Sequence, residues 1–122
     1  MASQNDDGFK TLQASGAISA YKAVTIQSDG TITPSAGNAD VGIGITQEDI
    51  ADAGYGTVKL WSAPGTFMIQ ATGSAVTPGT AYAIVTGGYA AAVNGTFGPA
   101  ALQALQAGVA SNGIVLEFAS KL

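Results

Sequence analysis

Short runs of alternating apolar and polar residues, each closed by a glycine or an Asp-Gly turn, most limit how this chain can fold. Phe9-Lys10-Thr11-Leu12-Gln13-Ala14 alternates with period two and stops at Ser15-Gly16. Successive side chains of an extended strand point to opposite faces, so this run fits a half-buried strand and not an amphipathic helix. Ala23-Val24-Thr25-Ile26-Gln27 leads through Ser28-Asp29-Gly30 into Thr31-Ile32-Thr33-Pro34. An Asp-Gly pair between two β-branched runs marks a hairpin, because both residues tolerate positive φ. After the polar loop 35–40, Val41-Gly42-Ile43-Gly44-Ile45-Thr46 puts its branched side chains on one face. The glycines leave the other face flat, as fits close approach by a neighbouring backbone. Thr57–Trp61, Thr66–Gln70, Ala81–Val85, Tyr89–Val93 and Ile114–Phe118 continue the series.

Two stretches depart from the pattern. Gln47 to Gly54 is a charged excursion long enough for one helical turn. Pro99-Ala100-Ala101-Leu102-Gln103-Ala104-Leu105-Gln106-Ala107-Gly108 has proline at a first helical position and glycine just past the end. That asymmetry predicts one short helix near residues 99–107. Residues 1–8 are polar and acidic and read as a flexible N-terminal arm. Residues 9–122 form a single β domain, of a length that buries its own core. The expected fold is therefore mostly β, a small β-sandwich or β-barrel with one short helix near residues 99–107. A faint internal repeat is also visible: Ala23–Gly30 lines up with Ala81–Gly88, and Thr57–Trp61 with Ile114–Phe118. Two duplicated β units folding together fit such an architecture.

Composition narrows the chemistry. The chain has no His, no Cys and no Arg, and charged residues make up only 10% of it. Most enzymes rely on a group that titrates near neutral pH, an activated nucleophile or a metal, and His and Cys are the usual suppliers. Ser and Thr are plentiful, but a Ser-His-Asp arrangement is impossible without His, and no motif marks a Ser-Lys pair. Gly42, Gly44, Gly54 and Gly56 lie within a strand and after a loop, without the strand–glycine–helix order of a phosphate cradle. Glu48, Asp49 and Asp52 are the densest carboxylate group, with Asp40 and Asp29 as candidates to join them. Their spacing matches no EF-hand loop, and they read as a solvated loop rather than a Ca²⁺ site or a glycosidase pair. No cofactor, no metal and no catalytic residue is expected, and the chain reads as a non-enzyme.

The formal charge of −4 and the scattered Lys10, Lys22, Lys59 and Lys121 argue against a nucleic-acid partner, which needs clustered cations. No apolar run approaches the length of a membrane span. The acidic start is the opposite of a secretory signal, so a protein made and kept in a cytoplasm is expected. Aromatics are 7% of residues, and the anchors are Phe9, Trp61, Phe67, Phe97 and Phe118. A core of small side chains with seventeen glycines gains stability by association. Trp61, Tyr55, Tyr82, Tyr89 and Tyr21 read as core or subunit-interface fillers ahead of a ligand platform.

The order of these segments resembles the small-β head decoration proteins of tailed phages, also called capsid cement proteins. The resemblance covers roughly residues 10–118. It rests on Val41-Gly42-Ile43-Gly44-Ile45, then the acidic Ala/Gly-rich loop, then Gly56-Thr57-Val58-Lys59-Leu60, then Gly79-Thr80-Ala81-Tyr82 and a closing apolar strand. The helix-like stretch at 99–108 is less typical of that family. The resemblance implies a virion structural protein, assembled in the host cytoplasm, that binds the capsid exterior as a homotrimer and ties major capsid protein subunits together. Capsid contacts are then expected from Gln4, Asn5, Asp6, Asp7, Phe9 and Lys10, and trimer contacts from Trp61, Phe67 and Met68. The alternatives are a carbohydrate-binding or fibre-type attachment domain, which clustered exposed aromatics would favour, and a carboxylate-pair hydrolase acting through Asp49 or Asp52.

Overall fold

The computed structural model describes residues 8–37, 40–72, 75–92, 102–108 and 113–120. Ten strands run in chain order: β1 (Phe9–Gln13), β2 (Ala23–Ile26), β3 (Ile32–Pro34), β4 (Gly44–Thr46), β5 (Tyr55–Leu60), β6 (Phe67–Ala71), β7 (Ala81–Val85), β8 (Tyr89–Ala92), β9 (Leu102–Ala104) and β10 (Ile114–Ser120). The strand-sized runs of the sequence become strands because their apolar positions alternate. In β6, for example, Phe67, Ile69 and Ala71 are buried while Met68 points outward. The Asp-Gly turn joins β2 to β3 through a loop in which the Gly30 N–H bonds the Gln27 carbonyl and Gly30 takes the left-handed conformation.

The strands form two sheets of identical connectivity. The first has the order β1-β5-β4-β2-β3, and its outer members meet through a parallel bridge between Ala14 and Ile32. The second is a closed barrel whose ring, read from β6, is β6-β10-β9-β7-β8, sealed by the parallel pair Ala71 and Ala90. Each strand of the first sheet thus has its counterpart five strands later. Even the isolated bridges repeat, Ile18 with Ile50 and Val76 with Gly108. The repeat expected from Ala23–Gly30 and Ala81–Gly88 is therefore real and extends through all ten strands. The alignment of Thr57–Trp61 with Ile114–Phe118, however, is out by three residues: Val58 faces Lys10 as Phe118 faces Phe67, so Val58 corresponds to Phe118.

Each repeat has its own core. Ala14, Ile18, Val24, Ile32, Ile50 and Val58 fill the first, with Leu12, Ile43 and Leu60 packed against them. Phe67, Ile69, Tyr82, Ile84, Leu102, Leu116 and Phe118 dominate the second, and Ala23 and Ile45 of the first repeat join that cluster. Burying the Ile45 side chain there contributes about 1.5–3 kcal/mol, so the second core also holds the two repeats together.

The expected helix near 99–107 is not formed among the described residues; residues 99–101 lie outside them. Leu102–Ala104 is a strand, with Leu102 and Ala104 buried and Gln103 half-exposed. It pairs with β10 on one side and β7 on the other. Helix propensity in Ala, Leu and Gln is a preference of a few tenths of a kcal/mol per residue. Barrel closure satisfies the backbone on both edges and buries a leucine, and it prevails. The acidic excursion is not helical either; the Ile50 N–H and carbonyl bond the Ile18 carbonyl and N–H.

Candidate interaction surfaces

The loop carboxylates are spent on the fold. Asp49 Oδ1 accepts the Ala20 N–H at 2.8 Å and Asp52 Oδ1 accepts the Gly16 N–H at 2.9 Å. Glu48 Oε2 takes the Thr57 N–H at 3.0 Å, and Asp40 Oδ1 takes the Gly42 N–H at 3.0 Å. Asp29 accepts both the hydroxyl and the N–H of Thr31, and these bonds hold its carboxyl below the ordinary carboxylate value, the hydroxyl first. The aspartates clip loop amides at Gly16, Ala20, Thr31 and Gly42, and Glu48 ties its loop to Thr57 of β5, which is how short acidic side chains stabilise turns. Among the described residues no group of three or more acids converges on one point.

The cations and aromatics mark the seam between the repeats. Lys59 Nζ donates to the Thr66 carbonyl and lies 4.5 Å from the Phe67 ring centroid and 5.9 Å from that of Phe9. Lys22 Nζ sits 4.4 Å over Tyr89. Such contacts are worth about 0.5–1 kcal/mol when partly exposed. Trp61 packs on Phe67 with centroids 5.0 Å apart, and its Nε1–H is shared between the Val41 and Gly42 carbonyls.

The residues expected to make contacts fall in three places. Gln4, Asn5, Asp6 and Asp7 lie outside the described residues. Phe9 and Lys10 are half-buried in β1, opposite Lys59 and Val58 of β5. Gly8 is buried ahead of them, and its carbonyl accepts the Leu60 N–H at 2.8 Å. Of the set Trp61, Phe67 and Met68, Phe67 is in the barrel core, Trp61 packs on it within the chain, and Met68 faces outward. The five candidate platform aromatics are dispersed. Tyr82 is buried edge-on against Phe118 at 5.3 Å, Tyr21 packs on the barrel core, Tyr89 sits under Lys22, and Tyr55 alone is fully outward at 70% exposure.

One surface escaped the sequence reading. Ile26, at the end of β2, is 48% exposed, whereas its counterpart Ile84 is fully buried. The alignment of Ala23–Gly30 with Ala81–Gly88 contained that pairing, but not which copy is covered.

No protein-family model matches the chain, and no curated protein does. Among solved structures, its fold is similar to the N base of the head fiber gp8.5 of bacteriophage phi29. The TM-score is 0.69 at 14% sequence identity, over 93% of this chain and 92% of that chain. At this identity the likeness is one of fold.

Proposed function

We propose that this chain is a non-enzymatic structural protein of a phage virion, which binds the outer surface of an assembled capsid and stabilises contacts between major capsid subunits. The observation that carries the reading is the fold match to a head fiber base, which runs nearly end to end in both chains. The disposition of the acids supports it, since the described ones are engaged in clipping loops rather than facing one another. The stretch from Leu60 to Leu116 contains no charged residue. Contact surfaces are depleted in charge at their centres, so this half of the chain suits coverage by a neighbour. In this reading the chain is a homotrimer on the virion exterior, with Gln4, Asn5, Asp6, Asp7, Phe9 and Lys10 toward the capsid. Stabilisation is linkage: a ligand that binds the assembled shell but not its free subunits draws the equilibrium toward the shell, and three linked sites raise avidity.

The test is co-sedimentation of the purified protein with matching empty expanded capsids, followed by capsid melting with and without it. Occupancy and a raised shell melting temperature are expected, and removal of residues 1–7 is expected to reduce occupancy. Absence of co-sedimentation, together with binding on a glycan array, would replace the capsid reading with an attachment domain.

A further inference from the structure

The two repeats dock on one another through a surface pair, and the other half of each surface lies outward. Inside the chain, the turn Ser19–Tyr21 of the first repeat lies along the edge of β6. The Gln70 N–H donates to the Tyr21 carbonyl at 2.8 Å, and its side-chain amide donates to the Ala20 carbonyl at 2.7 Å and to Ser19 Oγ at 3.1 Å. Beside it, the Ala23 N–H donates at 2.9 Å to the carbonyl of Gly88, at the tip of the β7–β8 hairpin. Ile84, in the same hairpin, is fully buried in the cluster that includes Ala23 and Ile45.

The receiving surface Gln70, Ile84 and Gly88 has its counterpart in the first repeat as Gln13, Ile26 and Gly30. There, among the described residues, Gln13 is half-buried, Ile26 is 48% exposed and Gly30 is an exposed tip with open space around it. The Gln13 amide, with no turn to hold, donates instead to the Ala53 carbonyl at 3.0 Å.

The docking turn is also duplicated. Thr77-Pro78-Gly79 corresponds to Ser19-Ala20-Tyr21 and is exposed. Its backbone has the same form: Tyr21 has φ 64° and Gly79 φ 86°, both left-handed. The Tyr21 N–H bonds the Thr46 carbonyl at 2.8 Å, and the Gly79 N–H bonds the Ala104 carbonyl at 2.7 Å. The Thr46 N–H returns to Lys22 at 3.0 Å, and the Ala104 N–H returns to Thr80 at 3.0 Å. The Gly79 carbonyl accepts the Gln103 amide at 3.1 Å, which leaves its second lone pair for another donor.

We propose that a second copy of this chain fills the vacant half: the turn 77–81 of one copy docks on the Gln13 edge, Ile26 and the Gly30 tip of the next. The partner is a second copy because the chain already makes this contact with itself, and an outward strand edge is a template for such pairing. The contact is head-to-tail, so it closes into a ring or continues as a filament. No charged residue lies on the docking turn; on the receiving side Asp29 flanks Gly30, its carboxylate already bonded to Thr31. Gln103 stands where Ile45 stands in the internal contact, which makes the contact between copies more polar and its assembly concentration-dependent. The inference deepens the homo-oligomer part of the proposed function.

The experiment is sedimentation of the free protein over a wide concentration range, without capsids, so that capsid binding is read separately. Wild type is expected to self-associate. Ile26→Arg and Thr77→Arg, both at exposed positions, are each expected to weaken association on the order of 30-fold, the scale of one interface hot spot. Ser28→Arg at the exposed tip disrupts the same side as Ile26→Arg by an independent route. Mixing Ile26→Arg with Thr77→Arg is expected to give a two-chain species and nothing larger, because each variant keeps one good half. A wild type that stays monomeric to millimolar concentration would overturn the proposal. So would variants that associate like wild type, or a mixture without the two-chain species.

Discussion

The two repeats share every strand neighbour and almost none of their core side chains. Where the first repeat has Val24, Val58, Lys10 and Gly44, the second has Tyr82, Phe118, Phe67 and Leu102. The first fills its interior with branched aliphatics; the second fills a closed barrel in which the rings of Phe67, Tyr82 and Phe118 take much of the space. The topology therefore rests on backbone pairing and on which positions face in, while the volume at each inward position is free to drift if neighbours compensate. Charge has drifted as well. The carboxylate clips at Asp49 and Asp52 belong to the first repeat, and Leu60 to Leu116 carries none.

The sharpest way to break this comparison is to empty the same position in each core. Phe118→Ala is expected to cost about 4 kcal/mol, the scale of a buried ring lost to a cavity, and Val58→Ala about 2 kcal/mol. Urea titration of both variants reads the difference; equal losses would mean the two cores do not differ as their side chains indicate. Trp61→Ala comes next, at about 3 kcal/mol, because it removes both the Phe67 contact and the shared bond to the Val41 and Gly42 carbonyls. Hydrogen exchange should then show the repeats opening separately, where wild type opens them together. Asp49→Ala is expected to cost about 1 kcal/mol, for one backbone donor left to water, with faster exchange at the Ala20 amide.

The smallest effects separate the repeats by pH. Asp29, held low by Thr31, contributes stability that is present above the ordinary carboxylate value and is lost as pH falls through its lowered one. Thr31→Val should move its NMR titration up toward 3.8. Tyr82 is pushed up by burial, so its contribution is complete below the ordinary phenol value and is lost as pH rises through the raised one. Tyr82→Phe should flatten the alkaline limb of the stability profile and leave the acid limb unchanged.

Most strands were legible because period-two alternation reports directly on a pleated, half-buried surface, as in Phe67–Ala71. The acidic loop read correctly as surface, but its bonds to the distant Ala20 and Gly16 amides left no mark in the spacing of Asp49 and Asp52. Leu102–Ala104 was not legible: three residues hold too little alternation to outweigh flanking helix formers, and the deciding contacts come from β7 and β10. The full extent of the repeat was hidden for a related reason. Pairs such as Lys10 and Phe67, or Ile45 and Gln103, occupy equivalent positions but face different surroundings, so identity was lost while geometry stayed.

Because β5 returns to β1 and β10 returns to β6, every ladder begins and ends inside its own half of the chain. The link through Ser62-Ala63-Pro64-Gly65 carries no strand. A single cut after Pro64 would sever no sheet pairing, and the two fragments would stay joined by Trp61, Lys22 and the Gln70 bonds. That link is therefore where the backbone can be opened at no cost in strand pairing.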